Sequence, residues 1–189
     1  RLLGNISLDA NFHKNFKGFL NLAYIRDDEE SLYFEPKSTA SNLTNGYGRR
    51  AYNNKSNKLL EGTLTYLNTF NENHNFSVMG GYSWQTDLFD GFSVAGRNAT
   101  SDYIGANNMG IFLDHETERP YGYKREDILI SFFSRALYDY AGKYFASLSV
   151  RRDGSSKFGS NNEWGTFPSV SFGWNLAEEN FMKSQNLFD

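Results

Sequence analysis

A chain of 189 residues with net charge −3 and a pI near 5.7 offers no basic face to neutralise a row of phosphates, so no nucleic acid is expected as a partner. Mean hydropathy is −0.60 and no apolar run is long enough to span a bilayer as a helix, which excludes a helical membrane protein but not a barrel, whose strands meet lipid only at every second residue. Zero cysteine fits a bacterial envelope protein without disulfides and fits cytosolic proteins equally.

Alternation begins at once. Ile6, Leu8, Ala10 and Phe12 stand opposite Asn5, Ser7, Asp9 and Asn11, which predicts a strand over Leu3 to Phe12. A turn over residues 13–18 leads to a second strand with Leu20, Leu22 and Tyr24 on one face and Asn21 and Ala23 on the other. From Arg26 to Lys58 no helical period emerges, and the stretch reads as a long irregular insertion. Its opening run, Asp27-Asp28-Glu29-Glu30, lacks the ligand spacing of a calcium loop; a solvated charge run is the favoured reading over Ca²⁺ ligation.

Leu60, Gly62, Leu64 and Tyr66 then alternate with Glu61, Thr63 and Thr65, and the chain turns over residues 71–75. The return strand, Phe76 to Gln85, sets Phe76, Val78, Gly80, Tyr82 and Trp84 against Ser77, Gly81, Ser83 and Gln85, with Met79 as the exception. A second long insertion, Thr86 to Asp127, carries Phe89, Phe92, Tyr103, Phe112, Tyr121 and Tyr123 among Asn, Gly and charged residues.

The clearest pattern lies in residues 128–176. Ile130, Phe132, Ser134, Ala136, Tyr138 and Tyr140 share one face of an extended strand, opposite Ser131, Arg135 and Asp139. After the link Ala141-Gly142-Lys143, the residues Tyr144, Ala146, Leu148 and Val150 stand against Phe145, Ser147, Ser149 and Arg151. Beyond a loop at 152–165, Pro168, Val170, Phe172, Trp174 and Leu176 stand against Ser169, Ser171, Gly173 and Asn175. Short links at 13–18, 71–75 and 141–143 therefore alternate with long ones at 26–58, 86–127 and 152–165, as in an antiparallel sheet whose turns lie on two sides. Period two does not by itself choose between lipid and a sandwich core as the solvent of the apolar face. Two features favour lipid. Tyr138, Tyr140 and Tyr144 crowd the short link and Trp174 sits late in its strand, as an interfacial aromatic girdle would; and long structureless loops are uncommon in compact soluble domains.

No catalytic constellation is found. His13, His74 and His115 are far apart, no Gly-x-Ser-x-Gly elbow occurs, and there is no cysteine nucleophile. Gly154 to Gly159 spaces two glycines like a phosphate loop, but no lysine follows Gly159. Catalytic, metal-binding and cofactor-binding residues are therefore assigned to none, and no enzyme is expected.

The run Ser149-Val150-Arg151-Arg152-Asp153-Gly154-Ser155-Ser156-Lys157-Phe158-Gly159, followed by Asn162, Trp164-Gly165-Thr166-Phe167-Pro168-Ser169-Val170-Ser171 and Gly173-Trp174, resembles the barrel motif of the SusC/RagA family. Phe133, Arg135, Tyr138, Tyr140 and Lys143-Tyr144 before it, and Glu178-Glu179 with Phe181-Met182 after it, extend the resemblance over roughly fifty residues, long enough to be specific where a lone short motif is not. The resemblance implies a TonB-linked outer-membrane transporter of the Bacteroidota, with no cofactor. The fold expected is all-β: an antiparallel transmembrane β-barrel segment, about seven strands of a barrel of about 22, with long extracellular loops. Residues 1–189 would be part of the barrel domain, and the plug, the TonB-interacting segment and the remaining strands would lie outside this chain. Implied partners are a SusD-like surface lipoprotein, TonB through parts absent here, outer-membrane lipid, and an oligosaccharide or peptide as cargo. By analogy, short turns would face the periplasm and long loops the exterior.

Candidate contacts for substrate or lid are the loop aromatics and amides Tyr33, Tyr47, Tyr52, Phe89, Phe92, Tyr103, Asn107, Asn108 and Phe112, since sugar rings stack on aromatic faces and hydroxyls pair with amides. The motif residues Arg151, Asp153, Gly154, Ser155, Phe158, Gly159, Trp164, Phe167 and Pro168 read as structural. Asp153-Gly154-Ser155-Ser156 suits a tight turn in which Asp accepts backbone N–H bonds and Gly takes positive φ, after which Trp164, Phe167 and Pro168 restart the strand. The competing class is a soluble secreted all-β carbohydrate-binding module whose two sheets bury the apolar faces against each other. A third class, an outer-membrane enzyme, would require a positioned nucleophile and base.

Overall fold

The period-two pattern becomes a single antiparallel sheet in a computed structural model that describes residues 1–39, 44–115, 119–159 and 163–183. The strands are β1 (Leu2–His13), β2 (Phe16–Glu35), β3 (Tyr47–Phe70), β4 (His74–Ala99), β5 (Phe112–Asp114), β6 (Tyr121–Tyr140), β7 (Tyr144–Ser155) and β8 (Trp164–Trp174). Their order is β1-β2-β3-β4-β6-β7-β8, with the three-residue β5 paired to the end of β4 through Arg97↔Asp114 and Ala99↔Phe112. Two single 3₁₀ turns, Gly105–Asn107 and Met109–Ile111, precede β5; another, Leu176–Glu178, and a short helix, Asn180–Lys183, follow β8. No helix among the described residues is long and apolar enough to cross a membrane.

The chain divides into two compact units. One comprises residues 5–23, 58–86 and 127–189. Here the register carries the sequence pattern across strands: Ala136 faces Leu148, which faces Val170, and Tyr138, Ala146 and Phe172 line up beside them. The opposite face runs Arg135, Ser149, Ser169 and Leu137, Ser147, Ser171, with the last two hydroxyls 2.7 Å apart. The apolar face stays uncovered. Leu148 is 55% exposed, Val170 59% and Phe172 83%. A sandwich would bury these side chains under a second sheet, whereas the described strands form one sheet only. The turns are tight. Asn71 and Glu72 (φ 46° and 62°) and then Ala141 and Gly142 (φ 53° and 69°) take paired left-handed conformations, the backbone of a type I′ hairpin, and Lys143 N–H donates to the Tyr140 carbonyl at 2.9 Å.

The other unit comprises residues 1–4, 24–57 and 87–126. Its buried apolar residues are Phe112, which is 3% exposed, and the small Ala51, Ala95, Ala99 and Ala106. The Phe112 ring lies against Gly48, where any Cβ would collide with it, and meets Phe34 edge-on at 6.4 Å, while a Cβ at Gly96 would collide with Phe112 Cβ and the His115 ring.

Several expected boundaries are corrected. The turn at 13–18 shrinks to Lys14 and Asn15, and Phe16 opens β2. The insertion at 26–58 is mostly strand, since β2 runs to Glu35 and β3 starts at Tyr47; likewise β4 continues to Ala99, β6 starts at Tyr121 and β7 reaches Ser155. In these extensions charged and amide side chains occur on both faces among the aromatics, so apolar alternation fades while cross-strand polar pairs hold the register. Thus Arg50 Nε donates to Glu30 Oε1 at 2.6 Å, Asn54 Nδ2 donates to Asp28 Oδ1 at 2.7 Å, and Arg1 pairs with Asp27 at 3.3 Å. The acidic run is thereby stretched along β2, its members drawn alternately to opposite faces. The expected seven strands become eight because Phe112–Asp114 pairs with β4. Asn162 of the motif lies outside the described residues.

Candidate membrane and ligand surfaces

Cross-strand neighbours in a sheet share a face, so aromatic residues near successive short turns must meet. In the unit containing the short turns they do. Tyr140 stacks on Tyr144 at 6.2 Å and Tyr144 on Trp174 at 6.4 Å, with planes within 19° and 16°. His74 lies 4.8 Å from the Tyr140 ring, and its Nδ1 is 2.7 Å from the Tyr138 hydroxyl. Phe16 meets Tyr66 at 5.0 Å and His13 at 6.3 Å. Tyr138, Tyr140, Tyr144 and Trp174, the residues expected to form a girdle, thus join His74 in one belt of aromatic contacts across β4, β6, β7 and β8, while His13, Phe16 and Tyr66 form a second run across β1, β2 and β3.

One carboxylate fastens the segment after β8 to this belt. Glu179 accepts from the Tyr144 hydroxyl at 2.5 Å, from Lys143 Nζ at 3.2 Å and from Trp174 Nε1 at 3.2 Å. These donors, the tyrosine hydroxyl first, hold its carboxyl below the ordinary glutamate range.

The motif is built on the strands, and the expected turn at 153–156 is corrected. Gly154 is extended within β7, and the positive-φ glycines among the described residues are Gly46, Gly105 and Gly142. Asp153 accepts from Arg151 Nε at 2.8 and 3.0 Å rather than from backbone N–H groups, and Arg151 Nη2 reaches the fully buried Ser131 Oγ at 3.0 Å. What Gly154 supplies is space: a Cβ there would lie 2.9 Å from the Trp164 indole of the paired strand. Phe132 stacks on that indole at 6.2 Å and the Arg152 guanidinium lies 5.2 Å from it. Ser155 N–H donates to the Glu163 carbonyl at 2.9 Å, and its own carbonyl accepts from Phe158 N–H at 3.3 Å, so Ser155 starts the loop that the turn reading placed two residues earlier. Phe158 and Gly159 lie in that loop. Pro168 faces Val150 and Phe167 faces Arg151 across β7 and β8.

The loop candidates all fall in the other unit and separate into clusters. Tyr33 meets Tyr47 at 5.9 Å. Tyr52 meets Phe92 at 6.1 Å, accepts from Arg26 Nη2 at 3.3 Å and donates to Asp28, and these two rings border a shallow depression with Asp90, Gly122 and Lys124. Tyr103 is 95% exposed. Asn107 Nδ2 donates to the Ile104 carbonyl at 3.1 Å, and Asn108 Oδ1 accepts from Gly110 N–H at 3.0 Å, so both amides shape their own turns. Phe112 is packed inside, as described above.

Phe89 is different. The Lys55 ammonium lies 5.4 Å and the Arg125 guanidinium carbon 4.7 Å from its ring centroid. Lys55, Arg125, Tyr123 and Asn53 were missed because their stretches read as irregular, although Tyr121-x-Tyr123-x-Arg125 already alternates with Gly122 and Lys124. Among the described residues, no group of three or more His, Cys, Asp or Glu side chains is placed to hold a metal ion.

No family model matches the chain. It is 39% identical over 135 residues to TonB-dependent receptor P3 of Formosa agariphila, a match covering 71% of this chain and 13% of that protein. It is 36% identical over 154 residues to TonB-dependent receptor P39 of the same organism, covering 80% and 14%, and 29% identical over 157 residues to TonB-dependent receptor SusC of Bacteroides thetaiotaomicron, covering 67% and 15%. The matched region is thus a small part of each relative. Among solved structures, the fold is similar to a chain of the RagAB peptide transporter, with a TM-score of 0.88 at 20% identity over 96% of this chain and 20% of that one, and to the RagAB peptide importer in its closed-closed state, with a TM-score of 0.85.

Proposed function

Because the chain belongs to the SusC/RagA family of TonB-dependent receptors, we propose that it forms wall strands and outer loops of an outer-membrane transporter that imports a bulky nutrient. The observation that carries this reading is the uncovered apolar face, bounded at the short turns by two runs of aromatic contacts, His13 to Tyr66 and His74 to Trp174. A face of this kind is stable against lipid and insoluble against water. Short turns then lie on the periplasmic side and the loops between β2 and β3, β4 and β6, and β7 and β8 on the outer side. The rest of the barrel, the plug and the TonB contact are supplied by parts of the protein beyond this segment. A SusD-like lipoprotein closes the barrel from outside, and the cargo is an oligosaccharide, with a peptide as the other class. The exposed rings and the amide-rich loops support the sugar. The relatives are named as receptors and the structural neighbours as a transporter, so the work of this segment is containment and capture rather than covalent chemistry.

Native mass spectrometry of the full-length protein, extracted from its source membranes in mild detergent, tests this directly. The expected species needs detergent, is several times heavier than this chain and retains a lipoprotein; a detergent-free species of this segment's own mass overturns the reading. Deleting Asn98 to Glu118, part of which lies outside the described residues, should lower nutrient uptake or lipoprotein retention while the barrel still runs as a folded, heat-modifiable band. Unchanged uptake and retention would remove that loop from the capture surface.

A further inference from the structure

Within the unit of residues 5–23, 58–86 and 127–189, Tyr144 and Arg152 share the face of Leu148 and Val150, being even steps along one strand. Register extends that face sideways: Arg152 pairs with Phe132 of β6 and Thr166 of β8, as Leu148 pairs with Ala136 and Val170. From Tyr144 to Arg152 the strand counts nine residues, and a barrel strand crosses the apolar layer of a bilayer in roughly 9–11, so the two stand one membrane thickness apart. Rings are contiguous again at the Arg152 end. Tyr82 lies 5.2 Å from Phe132, and Phe132 lies 6.2 Å from the Trp164 indole, which covers Gly154 of β7 where no Cβ obstructs it. The two arginines beside this row have opposite surroundings. Arg151, on the other face, is neutralised by Asp153 at 2.8 Å and held by the buried Ser131 hydroxyl. Arg152 is exposed, its guanidinium carbon lies 5.2 Å from the Trp164 ring centroid, and it meets no carboxylate among the described residues. A cation on an apolar face is costly inside a bilayer, so it marks the polar boundary, and packing on Trp164 keeps it there.

We propose that Arg152, seated on Trp164 beside Phe132 and Tyr82, binds the phosphate of a phosphorylated lipid of the outer leaflet, whose acyl chains run down the Leu148–Val170 face. The assignment rests on the importer reading, which puts the short turns at the periplasm and this aromatic row at the outer interface. Charge and shape select the headgroup. A planar guanidinium offers a phosphate monoester two parallel N–H donors, whereas a phosphate-free headgroup brings no charge to pair with it. One basic residue at a membrane surface corresponds to a preference of about fivefold for an anionic over a neutral lipid.

The test is photo-crosslinking of the full-length receptor carrying Thr166→p-benzoylphenylalanine, which puts the probe on the exposed residue opposite Arg152 in β8. The protein is reconstituted in phosphatidylcholine vesicles holding equal amounts of monophosphoryl lipid A and the same lipid with its phosphate removed. Mass spectrometry of the adducts reads the ratio of the two lipids. It should favour the phosphorylated lipid about fivefold, fall to near one on adding Arg152→Gln, and stay unchanged on adding Arg135→Gln, which removes a cation from the opposite face. Heat-modifiable gel mobility confirms that each barrel is folded. A ratio near one with Arg152 in place overturns the proposal, as does a preference that survives in the folded Arg152→Gln protein or disappears in the folded Arg135→Gln protein. The same probe placed by Leu148→p-benzoylphenylalanine separates this outcome from failure of the importer reading. Lipid adducts at Leu148 keep the apolar face in the bilayer whatever the ratio at Thr166, whereas a folded protein with no lipid adduct at either position overturns both.

Discussion

Replacing Gly154 with alanine tests whether the motif is held by packing or by backbone conformation. A Cβ at this position would lie 2.9 Å from the indole of Trp164, its partner in β8, where ordinary contact begins at 3.4 Å. The ring must therefore lift by about 0.5 Å, enough to forfeit roughly a quarter of its contact energy with the strand beneath. Phe132, stacked at 6.2 Å, and Arg152, at 5.2 Å, resist the lift. Overpacking costs about 1–3 kcal/mol, and the half-exposed indole puts this site near 1–1.5 kcal/mol. Because Gly154 is already extended, alanine also stabilises by about 0.4–1 kcal/mol through the unfolded chain. The expected net loss is about 0.5 kcal/mol with Trp164 present, turning into a gain of about 0.4–1 kcal/mol in a Trp164→Ala background where the clash is gone. Urea unfolding of the full-length barrel in lipid vesicles, followed by gel mobility of the four proteins of the cycle, reads both values. An equal loss in both backgrounds would refute the packing argument and return the position to a backbone role.

Three further outcomes follow from the two faces and the belt. Leu148→Arg, on the apolar face between Ala136 and Val170, should cost about 2–4 kcal/mol in vesicles, whereas Ser147→Arg, one residue away on the other face, should cost under about 1 kcal/mol; equal losses would mean that lipid does not cover the first face. Ser131→Ala removes the buried hydroxyl that meets Arg151 Nη2 and should lower the same unfolding free energy by about 1–3 kcal/mol, with a change near zero showing that Asp153 alone orients the guanidinium. Because the folded-state carboxyl of Glu179 is held below its ordinary value, docking of residues 176–183 should be complete above about pH 4.3 and be lost as pH falls through the lowered value. Hydrogen exchange of that segment should show this acid transition in the native protein and not in Glu179→Gln; an identical pH profile in both would exclude the carboxylate.

Apolar alternation in residues 128–176 records two faces with different surroundings. Consecutive side chains that point to opposite faces carry opposite marks, so the strands and their faces follow from order along the chain. The resemblance carried by Ser149 to Trp174 was legible because its residues are consecutive in the chain, at the end of β7, in the loop that follows and in β8. The length of β2, β3 and β4 was not. Where charged and amide side chains occur on both faces, alternation loses its contrast, and strand formation there is supported by partners far away in sequence, such as Glu30 with Arg50 and Asn57 with Asp87.

The same distinction governs single residues. Asp153-Gly154 has the composition of a turn, and local propensity alone puts one there; the Trp164 indole across β8 makes Gly154 a strand residue, because only a missing Cβ leaves room for the ring. Phe89 could be named from the sequence as an aromatic in a loop, but not as the ring between Lys55 and Arg125, which stand 34 and 36 positions from it. Sequence by itself determined fold class, the apolar and polar faces of the strands and the family resemblance, all of which are set by neighbours along the chain. Tertiary structure alone decided which side chains meet across strands, because hydrogen-bonded register brings together residues whose separation in sequence carries no local trace.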